Sequence, residues 1–261
     1  MQKIVVGLIA AVAMTGSAFA ADMAPRYTKA PPVVAAPVFS WTGCYIGGFV
    51  GGAGADRNSR ARDLNGYNAV GDTWFYGTDN SFIGGGTLGC NYQTGAFVLG
   101  VEGEAGYLRV RGSALDPFSP FLPLDTRAST AFGDWYGVIA GRAGVAVDRA
   151  LFYVKGGAAF VNTSVSTIDA NPAGGNTITA TAGDTRATWA LGGGIEYALT
   201  NNWTIKGEYL YIDTRETLNA CGFAAVGGAR FCWSHDVPGL HTAKLGLNYK
   251  FDWAGPVVAK Y

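Results

Sequence analysis

HTAKLGLNYKFDW, residues 241–253, decides how this chain folds. His241, Ala243, Leu245, Leu247, Tyr249, Phe251 and Trp253 fall on one face. Thr242, Lys244, Gly246, Asn248, Lys250 and Asp252 fall on the other. A period of two with one apolar side is the signature of a β-strand whose two faces meet different surroundings. Seven more stretches alternate in the same way: Trp41–Gly54, Phe82–Thr94, Phe97–Arg111, Asp134–Asp148, Leu151–Ser164, Thr185–Leu199 and Trp203–Thr214.

Charge placement says which face looks inward. The polar faces carry Glu102, Glu104, Arg142, Lys155, Glu196, Lys206, Glu208 and Lys244 at mid-strand. The apolar faces carry charge only at Arg109, Arg111 and Asp213, all beside long connections. An apolar outside around a charged inside inverts the soluble arrangement and suits a barrel in lipid. Closing the sheet also leaves no unpaired strand edge in hydrocarbon. The expected fold is therefore all-β: an eight-stranded antiparallel up-and-down transmembrane β-barrel.

The connections alternate strictly. Gly95-Ala96, Arg149-Ala150 and Thr200–Asn202 are tight; Ala55–Ser81, Gly112–Gly133, Val165–Asp184 and Arg215–Leu240 are long. Short periplasmic turns and long outer loops are the outer-membrane pattern. Aromatic residues cluster at the expected membrane boundaries, with Trp41, Tyr92, Tyr197, Trp203, Phe251 and Trp253 below and Phe82, Trp135, Trp189 and Tyr211 above.

Composition agrees. The chain has 261 residues, 39 of them Gly, 49% hydrophobic and only 15% charged, with 19 cations against 19 anions. That excludes disorder as the overall state and gives no basis for a nucleic-acid partner. Past the N-terminus no apolar run is long enough for a membrane-spanning helix. Residues 1–20 read as a signal peptide, with Lys3, the apolar Ile4–Met14 and Ala18-Phe19-Ala20 before the cleavage point. Residues 21–40 read as a Pro/Ala-rich periplasmic tail, 41–253 as the barrel domain and 254–261 as a C-terminal tail.

Export permits disulfides. Cys221 and Cys232 bracket ten residues of the last long connection and are expected to bridge. Cys44 and Cys90 lie near the periplasmic ends of neighbouring strands, where a cross-strand bridge and two separate lipid-facing thiols both fit. Zinc on Cys221, Cys232 and His235 lacks a fourth ligand and close spacing. Ser234-His235-Asp236 holds three triad residue types, but adjacent residues rarely converge, so it reads as a polar loop. Gly84–Gly86 and Gly192–Gly194 lack the Lys and helix of a phosphate cradle and fit a curved sheet. No metal or cofactor is expected.

The segments FSWTGCYIGGFVGG (Phe39–Gly52), NYQTGAFVLGVEGE (Asn91–Glu104), Gly192–Tyr211 and LGLNYKF (Leu245–Phe251) carry a resemblance. They are similar to small alphaproteobacterial outer-membrane barrels, the RopB-like, outer-membrane immunogenic or porin-family chains, with OmpA-like eight-stranded domains as wider relatives. The resemblance implies a Gram-negative outer membrane, contact with its lipid and lipopolysaccharide, and delivery by periplasmic chaperones to a barrel assembly machine. Lys244, Gly246, Tyr249 and Phe251 look like the terminal-strand signal such machines read. The leading functional expectation is envelope integrity with loops displayed to host molecules, phage or antibodies. The alternative is a narrow channel for small solutes, with the inner charges lining it, and an outer-membrane enzyme ranks last.

Overall fold

The computed structural model describes residues 39–67, 69–118, 125–170 and 177–251. The expected signal peptide, tail residues 21–38, Trp253 and residues 254–261 lie outside the described residues. Within them every regular element is a strand: β1 (Gly43–Ala55), β2 (Ser59–Asp63), β3 (Thr73–Tyr76), β4 (Ser81–Thr94), β5 (Phe97–Leu108), β6 (Val110–Leu115) and β7 (Thr126–Val147). There follow β8 (Ala150–Ala170), β9 (Thr177–Ala198), β10 (Trp203–Ile212), β11 (Glu216–Phe223), β12 (Arg230–Val237) and β13 (Leu240–Lys250).

Eight of these make the barrel. Antiparallel pairs run β1–β4–β5–β7–β8–β9–β10–β13, and β13 returns to β1 in the register Phe49↔Gly246. The ring is the eight-stranded barrel expected from the alternation. Outward positions are apolar over its whole height, with Leu88, Val101, Ile139, Val154, Leu191, Ile195 and Leu245 all more than half exposed from the protein.

The four long connections differ from expectation, because each contains strand. β2 and β3 lie in 55–81, β6 and the start of β7 in 112–133, the ends of β8 and β9 in 165–184, and β11 and β12 in 215–240. β8 has 21 residues, so it runs about 70 Å at ~3.3 Å per residue, where a membrane strand needs only about 9–11 residues. The surplus stands beyond the membrane. There β9 passes to β11, β12, β2 and β3 in order, while β6 rides on β7. The wall of the barrel thus continues upward as a second tier. Sequence alternation missed it because stretches such as Thr126–Ala131 and Val165–Ala170 are dominated by Thr, Ser and Ala, and their inward positions include Thr126, Thr130, Thr167 and Asp169, so the two faces differ little in polarity.

A second correction concerns Trp41. Placed by sequence in the lower aromatic belt, it is instead 1% exposed inside the periplasmic mouth. Phe39 packs edge-to-face on it at 4.9 Å, and Val98, Leu151, Tyr153 and Ala198 complete that cluster. The backbone N–H of Trp41 donates to Gln93 Oε1 at 2.7 Å, and Lys250 Nζ donates to the Ser40 carbonyl. The chain therefore enters β1 from beneath the mouth. The other belt aromatics, Tyr92, Tyr197, Trp203, Phe82, Trp135 and Trp189, face outward.

Candidate functional site

Successive inward positions along single strands sort the interior by height. On β10 they run Thr204, Lys206, Glu208, Leu210, Ile212; on β5 they run Val98, Gly100, Glu102, Glu104, Gly106, Leu108. On β8 they run Leu151, Tyr153, Lys155, Gly157, Ala159, Val161. Stacking these strands in register makes three layers: the aromatic cap at the mouth, a charged layer, and an apolar layer of Phe49, Ile83, Leu108, Phe132, Leu210 and Leu240 above it.

The charged layer holds all eight of Glu102, Glu104, Arg142, Lys155, Glu196, Lys206, Glu208 and Lys244, each no more than 5% exposed. Lys155 Nζ sits among three carboxylates, at 2.9 Å from Glu102, 3.2 Å from Glu104 and 2.7 Å from Glu208. Lys244 Nζ reaches Glu104 at 2.6 Å and Glu208 at 2.9 Å. Lys206 reaches Glu102 at 3.0 Å, and Arg142 reaches Glu196 at 3.0 Å and Glu102 at 3.5 Å. Four anions meet four cations, so no net charge is left in the low-dielectric interior, where an unpaired ion would cost several kcal/mol.

Neutral polar groups complete the layer. Tyr45 donates to Glu102 at 2.6 Å, Tyr153 to Glu208 at 2.8 Å and Tyr136 to Glu104. Asn248 donates to Glu196 at 2.8 Å, and Arg142 donates to Asn91 at 2.8 Å. The guanidinium of Arg142 lies 5.0 Å from the ring centres of both Tyr45 and Tyr153. Sequence reading did not single out these tyrosines. The signal was available, since Tyr136 shares strand parity with Arg142 and Tyr153 with Lys155. Gly194 explains how Tyr153 fits: a Cβ there would stand 2.9 Å from the Tyr153 hydroxyl and 2.3 Å from the Gly207 carbonyl.

Carboxylate oxygens of Glu102, Glu104 and Glu208 come within 4.8 Å of one another, a spacing suited to a metal ion. The Lys155 ammonium already occupies the centre of that group.

The cysteines form two disulfides, Cys44–Cys90 joining β1 to β4 and Cys221–Cys232 joining β11 to β12. Ser234-His235-Asp236 is strand β12 rather than a loop. Alternation buries His235 completely and turns Ser234 and Asp236 outward, where Asp236 pairs with Arg60. The ring of His235 bonds Tyr76 at 3.1 Å through Nδ1 and Thr167 at 2.9 Å through Nε2. Burial lowers its pKa to about 4. These three residues cannot converge as a triad, and His235 points away from the bonded Cys221 and Cys232.

On β13, Lys244 and Gly246 face the interior, whereas Tyr249 packs on Trp203 at 5.1 Å and on Phe251 at 5.4 Å on the outer side.

Comparison with known proteins follows the same line. The family described as "Outer membrane protein beta-barrel domain" matches residues 7–251. The 31 kDa outer-membrane immunogenic protein of Brucella melitensis biotype 1 is 33% identical over 258 residues, which is 96% of this chain and 100% of that one. A 22 kDa outer membrane protein of Rhizobium leguminosarum bv. viciae is 32% identical over 180 residues, 68% of this chain and 66% of that protein. The crystal structure of outer membrane protein OprG from Pseudomonas aeruginosa superposes with a TM-score of 0.52 at 17% identity, covering 82% of this chain and 98% of that one. That likeness is one of fold.

Proposed function

The chain belongs to the outer membrane protein beta-barrel domain family and is an outer-membrane protein, and from that premise we propose that it works as a closed barrel. Its role in this reading is architectural: it holds its place in the outer membrane and raises a rigid second tier above it. The observation that carries the reading is the filled interior, with an aromatic cap, a balanced ionic layer and an apolar layer stacked across the bore. An eight-stranded barrel is just wide enough for side chains to fill it. The role is not catalytic, in keeping with the opposite facing of His235 and its two neighbours.

The displayed surface is the second tier, and contacts with host molecules, phage or antibodies would be made there. The outward Tyr249 and Phe251 of β13, with Lys244 and Gly246 inward, are the positions a barrel assembly machine would read. Residues 1–20 would direct export. Planar-bilayer recording on the purified, refolded protein tests the closed reading. The expected trace is flat at the baseline. Reproducible steps whose ion selectivity changes in Glu104→Gln would replace the closed barrel with a narrow pore.

A further inference from the structure

One strip of the outer wall departs from the uniform apolar band. Outward positions rising along β5 and into β6 read Val101, Gly103, Ala105, Tyr107, Arg109 and Arg111. The neighbouring β7 offers Ile139, Gly137, Trp135 and Asp134. A bulge between Phe132 and Tyr136 turns both Asp134 and Trp135 outward, the kind of re-aiming a bulge provides. The strip therefore grades from apolar, through small, to aromatic, to cationic.

At its top, Arg109 and Arg111 share the single carboxylate of Asp134, at 3.7 and 3.9 Å. Both separations exceed hydrogen-bond length, so this carboxylate does not consume their donors. All three side chains are about half exposed. Arg127 stands on the same side and donates to Ser113 at 3.2 Å. Asp79, whose backbone N–H bonds the Arg111 carbonyl, is the other acidic group here. Arg109 and Arg111 thus stand beside the carboxylates of Asp134 and Asp79, with Arg127 higher on β7. By contrast, Arg186 on β9 is held by Glu216 at 2.7 Å.

Beneath the cations, Tyr107 and Trp135 meet edge-to-face at 6.4 Å, the residue types that mark the lipid–water boundary. Beneath them lies a groove of about 500 Å³. Its floor is Gly86, Ala105 and Gly137, paired across three strands, and Ile46, Leu88 and Ile139 rise beside it.

We propose that this strip is a binding site for one outer-leaflet lipid with a phosphate-bearing headgroup. The groove takes an acyl chain, the Tyr107–Trp135 pair sits at the glycerol or sugar level, and Arg109 and Arg111 hold the phosphate. The occupant follows from depth and charge. At the height of the groove the surrounding medium is hydrocarbon. At the height of the arginines the exposed guanidinium forks, neither within hydrogen-bond length of Asp134, suit phosphate oxygens. The inference rests on the outer-membrane setting and not on a sealed interior, so its failure would leave the closed-barrel reading in place.

Native mass spectrometry of the folded protein in detergent tests it, using bis-phosphorylated lipid A, dephosphorylated lipid A and inorganic phosphate as probes. One retained lipid A per barrel is expected. At least tenfold weaker binding is expected for dephosphorylated lipid A and for R109Q/R111Q, with no change for R57Q/R60Q. Inorganic phosphate alone should leave no retained adduct. G137L fills the groove from a site where a Cβ meets nothing closer than 3.7 Å; it should weaken lipid A binding while the barrel stays folded. Equal binding of lipid A by R109Q/R111Q, equal binding of the dephosphorylated lipid, or a dimer burying Trp135 in place of lipid would overturn the proposal.

Discussion

Replacing Lys155 with methionine tests the ionic layer most directly. The substitution keeps the length and removes the charge from the centre of the network. It leaves Glu102, Glu104 and Glu208, previously within 2.7–3.2 Å of the ammonium, with four anions facing three cations. The side chain is 1% exposed, so water cannot screen the excess. Breaking a buried pair by removing one partner costs about 3–5 kcal/mol, and Lys155→Met is expected to fall there. The double variant Lys155→Met/Glu104→Gln restores neutrality and should recover about half or more of the loss, a coupling of roughly 2 kcal/mol, within the range found for contacting groups. Reversible urea unfolding of the refolded barrel in lipid vesicles, followed by tryptophan fluorescence, measures both. A loss below about 1 kcal/mol in the single variant, or a double variant weaker than the single by a full additive step, would refute a network that acts through charge balance.

Other outcomes follow from the same packing. His235 is held neutral in the folded second tier with a pKa of about 4, against 6.5 for the free side chain. The unfolded chain therefore takes up its proton first, and the tier loses stability as pH falls from about 6.5 to 4, by about 3 kcal/mol in all. Amide protection factors in β11 and β12, with the intrinsic pH dependence of exchange divided out, should fall across that window, and His235→Gln should abolish the fall. Trp41→Ala empties the periplasmic cap and should cost about 3–5 kcal/mol in the same urea assay; a loss under 1 kcal/mol would mean the cap is not packed. Reducing Cys221–Cys232, whose residues are 11 apart, should weaken the β11–β12 hairpin by about 3 kcal/mol through loop-closure entropy. Faster protease cutting near 224–229 measures this, and unchanged cutting rates would argue against it.

How much was legible in sequence depended on the strength of contrast between the two faces. β13 reads cleanly because Leu245, Leu247 and Tyr249 alternate with Lys244, Gly246 and Asn248. The same contrast singled out the eight interior charges, since a charge tolerates only one side of a wall standing in lipid. β2 has only five residues and buries Ser59, Ala61 and Asp63, while the upper parts of β7 and β8 bury Thr126, Ala128 and Thr130 or Thr163, Val165 and Thr167; with inward faces this small and polar, period two fades into what looks like loop.

Sequence alone determined the number of membrane strands, the facing of the six that carry inward charge, the order of short and long connections, and the neutral sum of the inward charges. Each is a local property, carried by hydrophobic period or by charge parity. Only the tertiary structure decided which charges meet, because Lys155 and its three glutamates come from β8, β5 and β10 and are brought together by ring closure and register. It alone decided that the long connections continue the wall, because β12 pairs with β2 and β11 with β9, partners distant in sequence. It also placed Trp41 inside the mouth. A tryptophan before a strand fits an interface belt and a plug equally well, and the open end of the barrel beside it settled the choice.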